Sequence, residues 1–384
     1  MSNQSAHSRA PTLLNHGTEM AERVRNLTPY EPVCSLTEIK RNAGISHLKL
    51  DWNESTIPPA PRVTEALLGF LHSNAGLNLY PDMCYAPLLE SLAEYVGCRT
   101  SQLLLTNGSD AALDLICQTY LDPVDKVVHP TPTYSHMLQF AERTGAEIRG
   151  VTGENPFVPH LQDLVPAIDE RTKIVYLASP NNPTGNVHAP ADVLKMAQRH
   201  PNTLFILDEA YFEFSEVTCV ELVDEIPNLV VTRSFSKCFG LAAVRRGYAV
   251  APEEVIANLR RAHNPKSVNM LAQVAATAAL KDLPYYRRFA SEVKRSAALF
   301  KGFCDQRGIP CHPTQANFVL VQFPDVPDMA RRLAEAGVYV RDRSDQMPGV
   351  LRITLGTKSQ TMEMLARLDR ILAGKPSRSQ GTRP

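Results

Sequence analysis

The chain has 384 residues, 44% of them hydrophobic and 21% charged, which is an ordinary globular composition and more length than one simple core needs. Forty basic residues balance forty acidic ones, so net charge gives no general attraction to nucleic acid or to an anionic membrane. The eight cysteines include no CxxC pair and the eleven histidines form no ligand cluster. This pattern argues against a disulfide framework and against a metal site.

The sequence carries no sign of a membrane span or of secretion. No apolar run approaches the ~18 residues that a membrane helix needs. The opening residues, MSNQSAHSRAPTLLNHG, lack the apolar core of a signal peptide. We therefore expect a cytoplasmic protein. Residues 1–18 and 374–384 are polar and are predicted to be flexible termini.

Strand and helix patterns alternate through the middle of the chain. Short apolar runs end in polar residues and lead into amphipathic stretches, as in QLLLTNGSDAALDLICQTYL and DKVVHPTPTYSHMLQFAERTG. Further runs lie in TKIVYLASPNNPTG, NTLFILDEAYFEF and NLVVTRSFSK. The alternation predicts an α/β fold in which a mainly parallel sheet has helices on both faces. Ligands bind at the carboxyl ends of such strands, so the polar residues there are candidate site residues.

The pattern changes near residue 261. A long helix (FASEVKRSAALFKGFCDQRG), a strand (ANFVLVQF), a helix with a strand (DMARRLAEAGVYVRD) and a last strand (GVLRITLG) predict a smaller α+β unit. We expect a large domain over 51–260 and a small domain over 261–373. We also expect an N-terminal arm, 19–50, that packs on the small domain.

Two polar groups follow the earlier strands of the predicted sheet. Gly108, Ser109 and Asp110 open a helix, where free backbone N–H groups attract a phosphate, although Ser or Asp there is often only a cap. This is neither a GxGxxG motif nor a P-loop. Asn182, in SPNNPTG, has an ordinary explanation as part of a β-turn.

Two more polar groups follow the later strands. Asp208 ends the run LFIL and precedes Tyr211; alone, it would be a helix cap. Lys237 lies in SFSKCFGLAAVR, which alone would be a capped helix with ordinary basic residues. The segment that carries Lys237 also contains Ser234, Ser236 and Arg245.

Taken together, these groups match the needs of one ligand, pyridoxal 5′-phosphate. It needs a lysine to bind its aldehyde, which Lys237 could supply, and an acid to keep its ring nitrogen protonated, which Asp208 could supply. It also needs hydrogen-bond donors for its phenolate oxygen, and Asn182 and Tyr211 are of this type. Its phosphate needs a cation, hydroxyls and a helix start. Those are expected from Arg245, Ser109, Ser234 and Ser236. Tyr134, in TPTYSH, is a candidate to stack on the ring, or else a buried tyrosine.

At these residues the sequence resembles the fold-type I pyridoxal-phosphate enzymes of the class I/II aminotransferase branch. NNPTG, DEAYFEF and SFSKCFGLAAVRRGY, in this order and spacing, carry the resemblance. VRNLTPYEP, LDWNES, LYPD, TNGSD, VYVRD and LRITLGT make it most similar to the histidinol-phosphate aminotransferase family, over roughly residues 23–372. The resemblance implies an aspartate-aminotransferase-like large domain, a small domain and a homodimer, with the active site between domains and subunits.

The same resemblance assigns further residues. Tyr80 of LYPD would cross the dimer interface to the partner's cofactor phosphate, and Tyr30 of LTPY would close over substrate. Arg352 would bind the anionic end of the substrate, with Arg341 assisting, because an arginine fork suits carboxylate or phosphate. Asn53, in the start motif, is expected to line the substrate site.

Two segments depart from the family pattern where that family lines its substrate pocket. The start motif usually reads Asn-Glu-Asn-Pro, and here it reads Asn53-Glu54-Ser55-Thr56. Where Pro-Tyr-Asn-Val-Asn is common, this chain has Pro265-Lys266-Ser267-Val268-Asn269. A tyrosine is lost and a lysine gained, so the cofactor residues are intact while the pocket wall has changed.

The predicted activity is ping-pong transamination of a small amine, with L-histidinol phosphate as first candidate donor and 2-oxoglutarate as acceptor. One alternative is an aminotransferase of specialised metabolism for another amino acid, aromatic or basic. Another keeps the cofactor but performs elimination, hydroxylation or cyclisation. A third, a cofactor-binding regulator without catalysis, is disfavoured because the N-terminal segment is too short for a helix-turn-helix domain and the charge is neutral.

Overall fold

The computed structural model describes residues 20–25, 27, 47–73 and 77–374. The predicted terminus 1–18, the predicted tail 374–384 except its first residue, most of the predicted arm and Tyr30 lie outside these residues. Among the described residues, no helix combines the length and the apolar character that crossing a membrane requires.

Helices cover both faces of the main sheet and much of the second half of the chain. The α-helices are α1 Glu22–Arg25, α2 Pro61–His72, α3 Ala86–Val96, α4 Ser109–Tyr120, α5 Ser135–Glu142, α6 Pro190–Arg199, α7 Phe212–Ser215, α8 Glu253–Ala262, α9 Met270–Leu280, α10 Leu283–Asp305, α11 Val326–Glu335 and α12 Lys358–Leu372. Short 3₁₀ turns are Thr100–Gln102, Leu161–Ala167, Val220–Leu222, Ala242–Val244 and Pro265–Ser267.

Seven strands form the main sheet, in the order β2-β8-β7-β6-β5-β3-β4. Their bounds are β2 Leu103–Thr106, β3 Lys126–Pro130, β4 Glu147–Val151, β5 Thr172–Ala178, β6 Leu204–Asp208, β7 Leu229–Ser234 and β8 Gly247–Val250. All neighbours are parallel except those of β8, which runs antiparallel to both β7 and β2. The predicted mainly parallel sheet is confirmed.

The apolar runs of this sheet are continuous because both of its faces are buried. In β5, Val175 and Leu177 join one hydrophobic core, while Ile174 and Tyr176 join the core on the opposite face. Alternate side chains of a strand point to opposite faces, so a strand covered on both sides has no polar side.

A second sheet lies later in the chain and is antiparallel, in the order β12-β13-β10-β9. Its strands are β9 Cys311–His312, β10 Phe318–Gln322, β12 Arg341–Asp342 and β13 Val350–Thr354. Two more strands, β1 Leu48–Lys49 and β11 Val338–Tyr339, pair in parallel. The segment just before Asp51 is thereby attached to the part of the chain that carries the second sheet.

Helix α9 follows the predicted domain boundary in sequence but packs against α2 and α3. It is rich in alanine and most of its residues are buried, so it lies close to both neighbours. The limits 51–260 and 261–373 remain a proposal for the division into domains.

Candidate active site

The carboxyl ends of β5, β6 and β7 bring the predicted polar residues to one edge of the main sheet. Asp208 is the last residue of β6, with Ala178 of β5 beside it on one side and Thr232 of β7 on the other. Its carboxylate accepts hydrogen bonds of 3.0 Å from the Tyr176 hydroxyl and 3.0 Å from the Thr232 hydroxyl. Burial nevertheless raises the pKa of Asp208 to about 6. A cation beside this carboxylate would favour its charged form.

Lys237 lies in the turn that follows β7. Its Nζ donates a hydrogen bond of 3.0 Å to the carbonyl oxygen of Trp52 and lies 5.6 Å from the centre of the Tyr211 ring. The backbone of Phe235 closes this turn, because its N–H donates to the Arg246 carbonyl and its carbonyl accepts from Leu241 N–H, both at 3.0 Å. The lysine is therefore held beside the carboxyl ends of the central strands.

Tyr211 and Asn53 form one buried hydrogen-bonded unit. Asn53 Nδ2 donates to the Tyr211 hydroxyl at 2.9 Å, and Asn53 Oδ1 accepts from the Thr354 hydroxyl at 3.0 Å. Because the tyrosine oxygen accepts this bond, its own proton stays available to a further acceptor.

Asn182 and Arg352 form a second unit beside it. Arg352 Nη1 donates to Asn182 Oδ1 at 2.6 Å, and Nη2 donates to the Asp51 carbonyl at 2.5 Å. The Asn182 Nδ2 group is thereby left as a donor. Asn182 thus keeps its two amide N–H groups, and Tyr211 its O–H group, as donors.

The start of α4 and the segment Arg245–Gly247 meet closely at another part of the site. Gly108 caps helix α4, and Ser109 and Asp110 are its first two residues. A Cβ atom on Gly108 would lie 2.6 Å from Arg245 Nη2, and one on Gly247 would lie 2.3 Å from the Ser109 backbone nitrogen. Gly247 has no room for a side chain beside the backbone at the start of α4, and Gly108 has a φ of 86°, which favours glycine.

Hydroxyl and charged groups surround this end of the site. Ser234 Oγ accepts from the Ser236 backbone N–H at 3.0 Å, and both serines are buried. The Asp110 carboxylate accepts from the Tyr134 hydroxyl at 2.9 Å and lies 3.4 Å from Arg245 Nη2. Free N–H groups, hydroxyls and a cation are the donor set of a phosphate site.

Positive charge is concentrated beside Asn182, on the second sheet. Arg341 of β12 is directly opposite Arg352 of β13 in the antiparallel register. Burial, and then the positive charges of Arg343 and Arg341, lower the pKa of Arg352 to about 9. Arg352 Nε and Arg341 Nη1 are buried and have no hydrogen-bond partner among the described residues. Like charges directly opposite each other are unfavourable, so this pair favours an anion between them.

Tyr80 and Lys266 lie on the surface, whereas the altered start motif continues directly from the buried Asn53. Tyr80 is exposed, and the Lys266 Nζ lies 4.5 Å from the centre of its ring. Glu54 forms an ion pair with Lys49, and the Thr56 carbonyl accepts from Gln360 Nε2 at 3.0 Å.

Comparison with known proteins agrees with this geometry. A sequence profile described as Aminotransferase class I and II matches residues 45–368. The chain belongs to the class I and II aminotransferases. Pyridoxal phosphate is the cofactor of these enzymes and of this protein.

Individual relatives agree on the family and differ in the substrate that they name. A dihydroxyacetone phosphate transaminase of Campylobacter jejuni is 37% identical over 345 residues, covering 88% of this chain and 93% of that protein. A histidinol-phosphate aminotransferase of a Geobacillus species is 35% identical over 368 residues, covering 93% and 99%. The crystal structure of histidinol-phosphate aminotransferase from Sinorhizobium meliloti superposes with a TM-score of 0.82 at 23% identity, covering 94% of this aminotransferase and 99% of that chain.

The residues of this aminotransferase fit the cofactor. A buried carboxylate with two neutral donors suits a protonated ring nitrogen, and two oriented donors suit the phenolate oxygen. Gly108, Ser109, Arg245 and Gly247, which we call the phosphate cup, bring the N-terminus of α4 close to a cation, and this suits a phosphate. The donor types and their placement agree with the chemistry of the ligand.

Several residues of the site were not predicted from the sequence. Tyr176 and Thr232 orient Asp208 from the two neighbouring strands, Trp52 supplies the carbonyl that holds Lys237, and Asp51 supplies the one that holds Arg352. A backbone carbonyl has no sequence signal. Predicting the contacts of Tyr176 and Thr232 with Asp208 would have required knowledge of the strand order and register.

Proposed function

We propose that this aminotransferase transfers an amino group to or from a small compound that carries a phosphate one carbon away from the reacting carbon. The observation that supports this most is the opposed pair Arg341 and Arg352, with buried N–H groups unpartnered among the described residues. A phosphate dianion offers charge and several acceptors to two guanidinium groups at once.

The named relatives support the same class of substrate. Histidinol phosphate carries its amine, and dihydroxyacetone phosphate its ketone, on the carbon next to a CH₂–O–phosphate group. Our first candidate reaction is L-histidinol phosphate with 2-oxoglutarate as acceptor, as in histidine biosynthesis. The second is the interconversion of dihydroxyacetone phosphate and its 2-amino counterpart, serinol phosphate, favoured by the 37% identical relative.

We assign the cofactor residues as follows. Lys237 binds the aldehyde, Asp208 pairs with the ring nitrogen, and Asn182 and Tyr211 donate to the phenolate oxygen. The phosphate is held by Gly108, Ser109, Asp110, Ser234, Ser236 and Arg245, and Tyr134 stacks on the ring. When bound, pyridoxal phosphate withdraws electrons from the substrate's Cα and makes its proton acidic.

The chain's own groups then control the proton and the substrate. The Lys237 amine removes the proton from the substrate's Cα as a general base. As a general acid it then donates that proton to the carbon that receives the amino group. Arg352 and Arg341 hold the substrate's anionic end, and Asn53 fixes Tyr211 beside it. The buried edge of the sheet restricts water and strengthens these polar contacts.

We further propose a cytoplasmic homodimer in which Tyr80 reaches the partner's cofactor phosphate. The exposure of this tyrosine in the single chain supports the assignment. Size-exclusion chromatography with light scattering tests the dimer, and loss of cofactor affinity in Tyr80→Ala with retained dimerisation tests the contact.

A donor screen tests the substrate. Purified enzyme is incubated without acceptor with histidinol phosphate, serinol phosphate, glutamate, phenylalanine and arginine, and conversion of the cofactor to its amine form is followed by absorbance. We expect conversion by one of the two phosphorylated amines and by glutamate, with one equivalent of oxo product. Conversion by phenylalanine or arginine but by neither phosphorylated amine would refute the phosphate proposal. Release of ammonia would point instead to elimination.

A further inference from the structure

Two cysteine thiols lie side by side where helix α10 ends and strand β9 begins. Cys304 is in the last turn of α10 and is buried, and Cys311 is the first residue of β9 and is half-buried. A hydrogen bond joins the two side chains. A disulfide requires two sulfur atoms that start in contact, and this pair meets that requirement.

The backbone turn between the two cysteines brings them together. The turn contains Gly308, which has a φ of 64°, and the Ile309 N–H donates a hydrogen bond of 3.0 Å to the Cys304 carbonyl. A left-handed glycine at the end of a helix reverses the chain, so the residues that follow return along the helix. Cys311 then pairs with Val321 of β10, and β9 contacts α10. One thiol is thus held by the helix and the other by the second sheet.

The two thiols differ in their reactivity. The hydrogen bond from the Cys304 thiol lowers the pKa of Cys311, and the positive charge of Lys301 adds to this, while that of Asp305 opposes it. The same hydrogen bond, together with burial, raises the pKa of Cys304. The thiolate is the form that attacks an oxidant, and it must also be accessible. Cys311 is therefore suited to react first, and Cys304 to react with the product.

We propose that Cys304 and Cys311 form a reversible modification site, at which a hydroperoxide oxidises the two thiols to a disulfide. In the first step the Cys311 sulfur attacks one hydroperoxide oxygen; an S–O bond forms, the O–O bond breaks, and water or an alcohol leaves with the thiol proton. In the second step the Cys304 sulfur attacks the Cys311 sulfur; the S–S bond forms, the S–O bond breaks, and water leaves with the second thiol proton. The two sulfur atoms lose two electrons in total, and these reduce the hydroperoxide.

The chain that follows Cys311 contacts the candidate active site. The Gln315 N–H donates to the Gly185 carbonyl at 2.9 Å, and Asn317 Nδ2 donates to the Asn53 carbonyl at 3.0 Å. Oxidation of Cys311 beyond the sulfenic acid would place a permanent charge at the start of this segment. A disulfide with the neighbouring thiol adds no charge and is reversed by a reductant. The pair therefore protects a segment on which the site depends.

The first test locates the disulfide. Reduced full-length holoenzyme is treated with hydrogen peroxide equimolar to protein, alkylated and digested with trypsin without reductant. Because Arg307 lies between the two cysteines, trypsin places them in separate peptides, 302–307 and 308–331. We expect these peptides to be linked, as the main cysteine product, and to be released by dithiothreitol. Oxidation of Cys311 without a link to Cys304 in the wild type would refute the proposal, as would disulfides among other cysteines only.

The second test removes the thiol that completes the reaction. In Cys304→Ser and Cys304→Ala, we expect labelling of the Cys311 sulfenic acid by dimedone to rise at least about fivefold over wild type, with sulfinic acid formed at Cys311 after longer exposure. Absorbance of the bound cofactor and circular dichroism identify variants that are folded, and two replacements guard against a loss of folding in either one. The matched control is Cys84→Ser, which removes an exposed cysteine and should change neither product. Labelling of a folded Cys304 variant at the wild-type level contradicts the assigned role of Cys304.

The third test compares two half-buried thiols. Cys98 is as accessible in class as Cys311, but burial raises the pKa of Cys98 to about 11. At pH 7 we expect iodoacetamide to modify Cys311 at least about tenfold faster than Cys98, because the thiolate fractions differ. Equal rates would show that Cys311 is not the attacking thiol. The thiol pair lies outside the groups assigned to cofactor and substrate, so these results do not depend on which amine the enzyme uses.

Discussion

A hydrogen bond of 2.6 Å from Arg352 Nη1 to Asn182 Oδ1 joins two residues that are 170 positions apart in the chain. One belongs to the second sheet and the other follows β5 of the main sheet. The bond couples the group proposed to hold the substrate's anion to the amide proposed to face the cofactor. Under the proposed roles, a single contact would link substrate binding to cofactor electronics.

This link predicts a specific defect for Arg352→Lys. The lysine keeps the charge but cannot bond the Asn182 side chain and the Asp51 carbonyl together, so the Asn182 amide loses its orientation. We expect kcat/KM in the half-reaction to fall about 100-fold, with a shifted absorption maximum of the bound cofactor. In a double-mutant cycle with Asn182→Ala, a coupling of about 1–3 kcal/mol is expected. Arg307→Lys, in the exposed ion pair with Asp369, is the control and should change neither quantity.

A second prediction concerns the stability of the cofactor-free protein. Burial raises the pKa of Asp208 from 3.8 to about 6, so the folded state binds this proton more tightly than the unfolded state does. The protonated Asp208 contributes fully to the free energy of unfolding below pH 3.8. This contribution of ~3 kcal/mol is lost as the pH rises through the folded-state pKa of about 6. Above pH 7, Asp208→Asn apoprotein should therefore unfold at higher denaturant concentration than wild type, although its activity is lost.

Glu213 is the matched control for that experiment. Burial raises its pKa to about 7, its carboxylate accepts a hydrogen bond from Tyr95, and no contact joins it to the described site residues. Glu213→Gln should stabilise the apoprotein at pH 8 in the same way and keep its activity. Equal stabilities of wild type and both variants at pH 8 would contradict the proposed cost of these buried charges.

A third prediction concerns the phosphate cup. In Gly247→Ala the new Cβ would lie 2.3 Å from the Ser109 nitrogen, so the start of α4 must move away. We expect cofactor affinity to fall at least about tenfold, because the helix N–H groups no longer converge on the phosphate. Cofactor titration by fluorescence measures it. Gly302→Ala in α10, with nothing within 4 Å of its Cβ, should keep full affinity and gain about 0.5–1 kcal/mol of stability.

A fourth prediction concerns Asn53, whose backbone lies at a φ of 56°. Asn53→Ala loses the amide that bonds Tyr211 and Thr354, and it keeps a left-handed backbone that alanine tolerates poorly. We expect a loss of about 1–3 kcal/mol of stability. Asn53→Gly also loses the amide but adopts the left-handed backbone without strain. If Asn53→Gly has the thermal stability of the wild type, backbone strain accounts for the stability loss in Asn53→Ala. Equal losses in both variants would assign it to the hydrogen bonds.

The placement of the residues proposed to bind the cofactor could be predicted from the sequence better than that of the residues that support them. Asp208, Asn182 and Lys237 follow apolar strands, and a parallel sheet brings the carboxyl ends of its strands to one edge. Their positions therefore follow from the local pattern. Tyr176 and Thr232 could not be assigned to Asp208 in this way, because no local signal shows that β5 and β7 flank β6.

The arrangement of the residues proposed to bind the substrate could not be predicted from the sequence, for a different reason. The opposition of Arg341 and Arg352 depends on the register of β12 and β13, and a shift of one residue would send one side chain to the other face. The contact of Lys266 with Tyr80 depends on how distant segments pack. Both arise from tertiary packing, which local periodicity does not report.

The single antiparallel strand β8 has a consequence for how the enzyme acquires its cofactor. Its first residue, Gly247, pairs with Ser234 of β7 on one side and with Thr106 of β2 on the other, beside the start of α4. The proposed phosphate cup is thus assembled from pieces more than a hundred residues apart, and its geometry depends on the pairing of β2 with β8 at the edge of the sheet. We therefore expect a change that weakens this edge pairing to lower cofactor affinity, and bound cofactor to stabilise the folded chain.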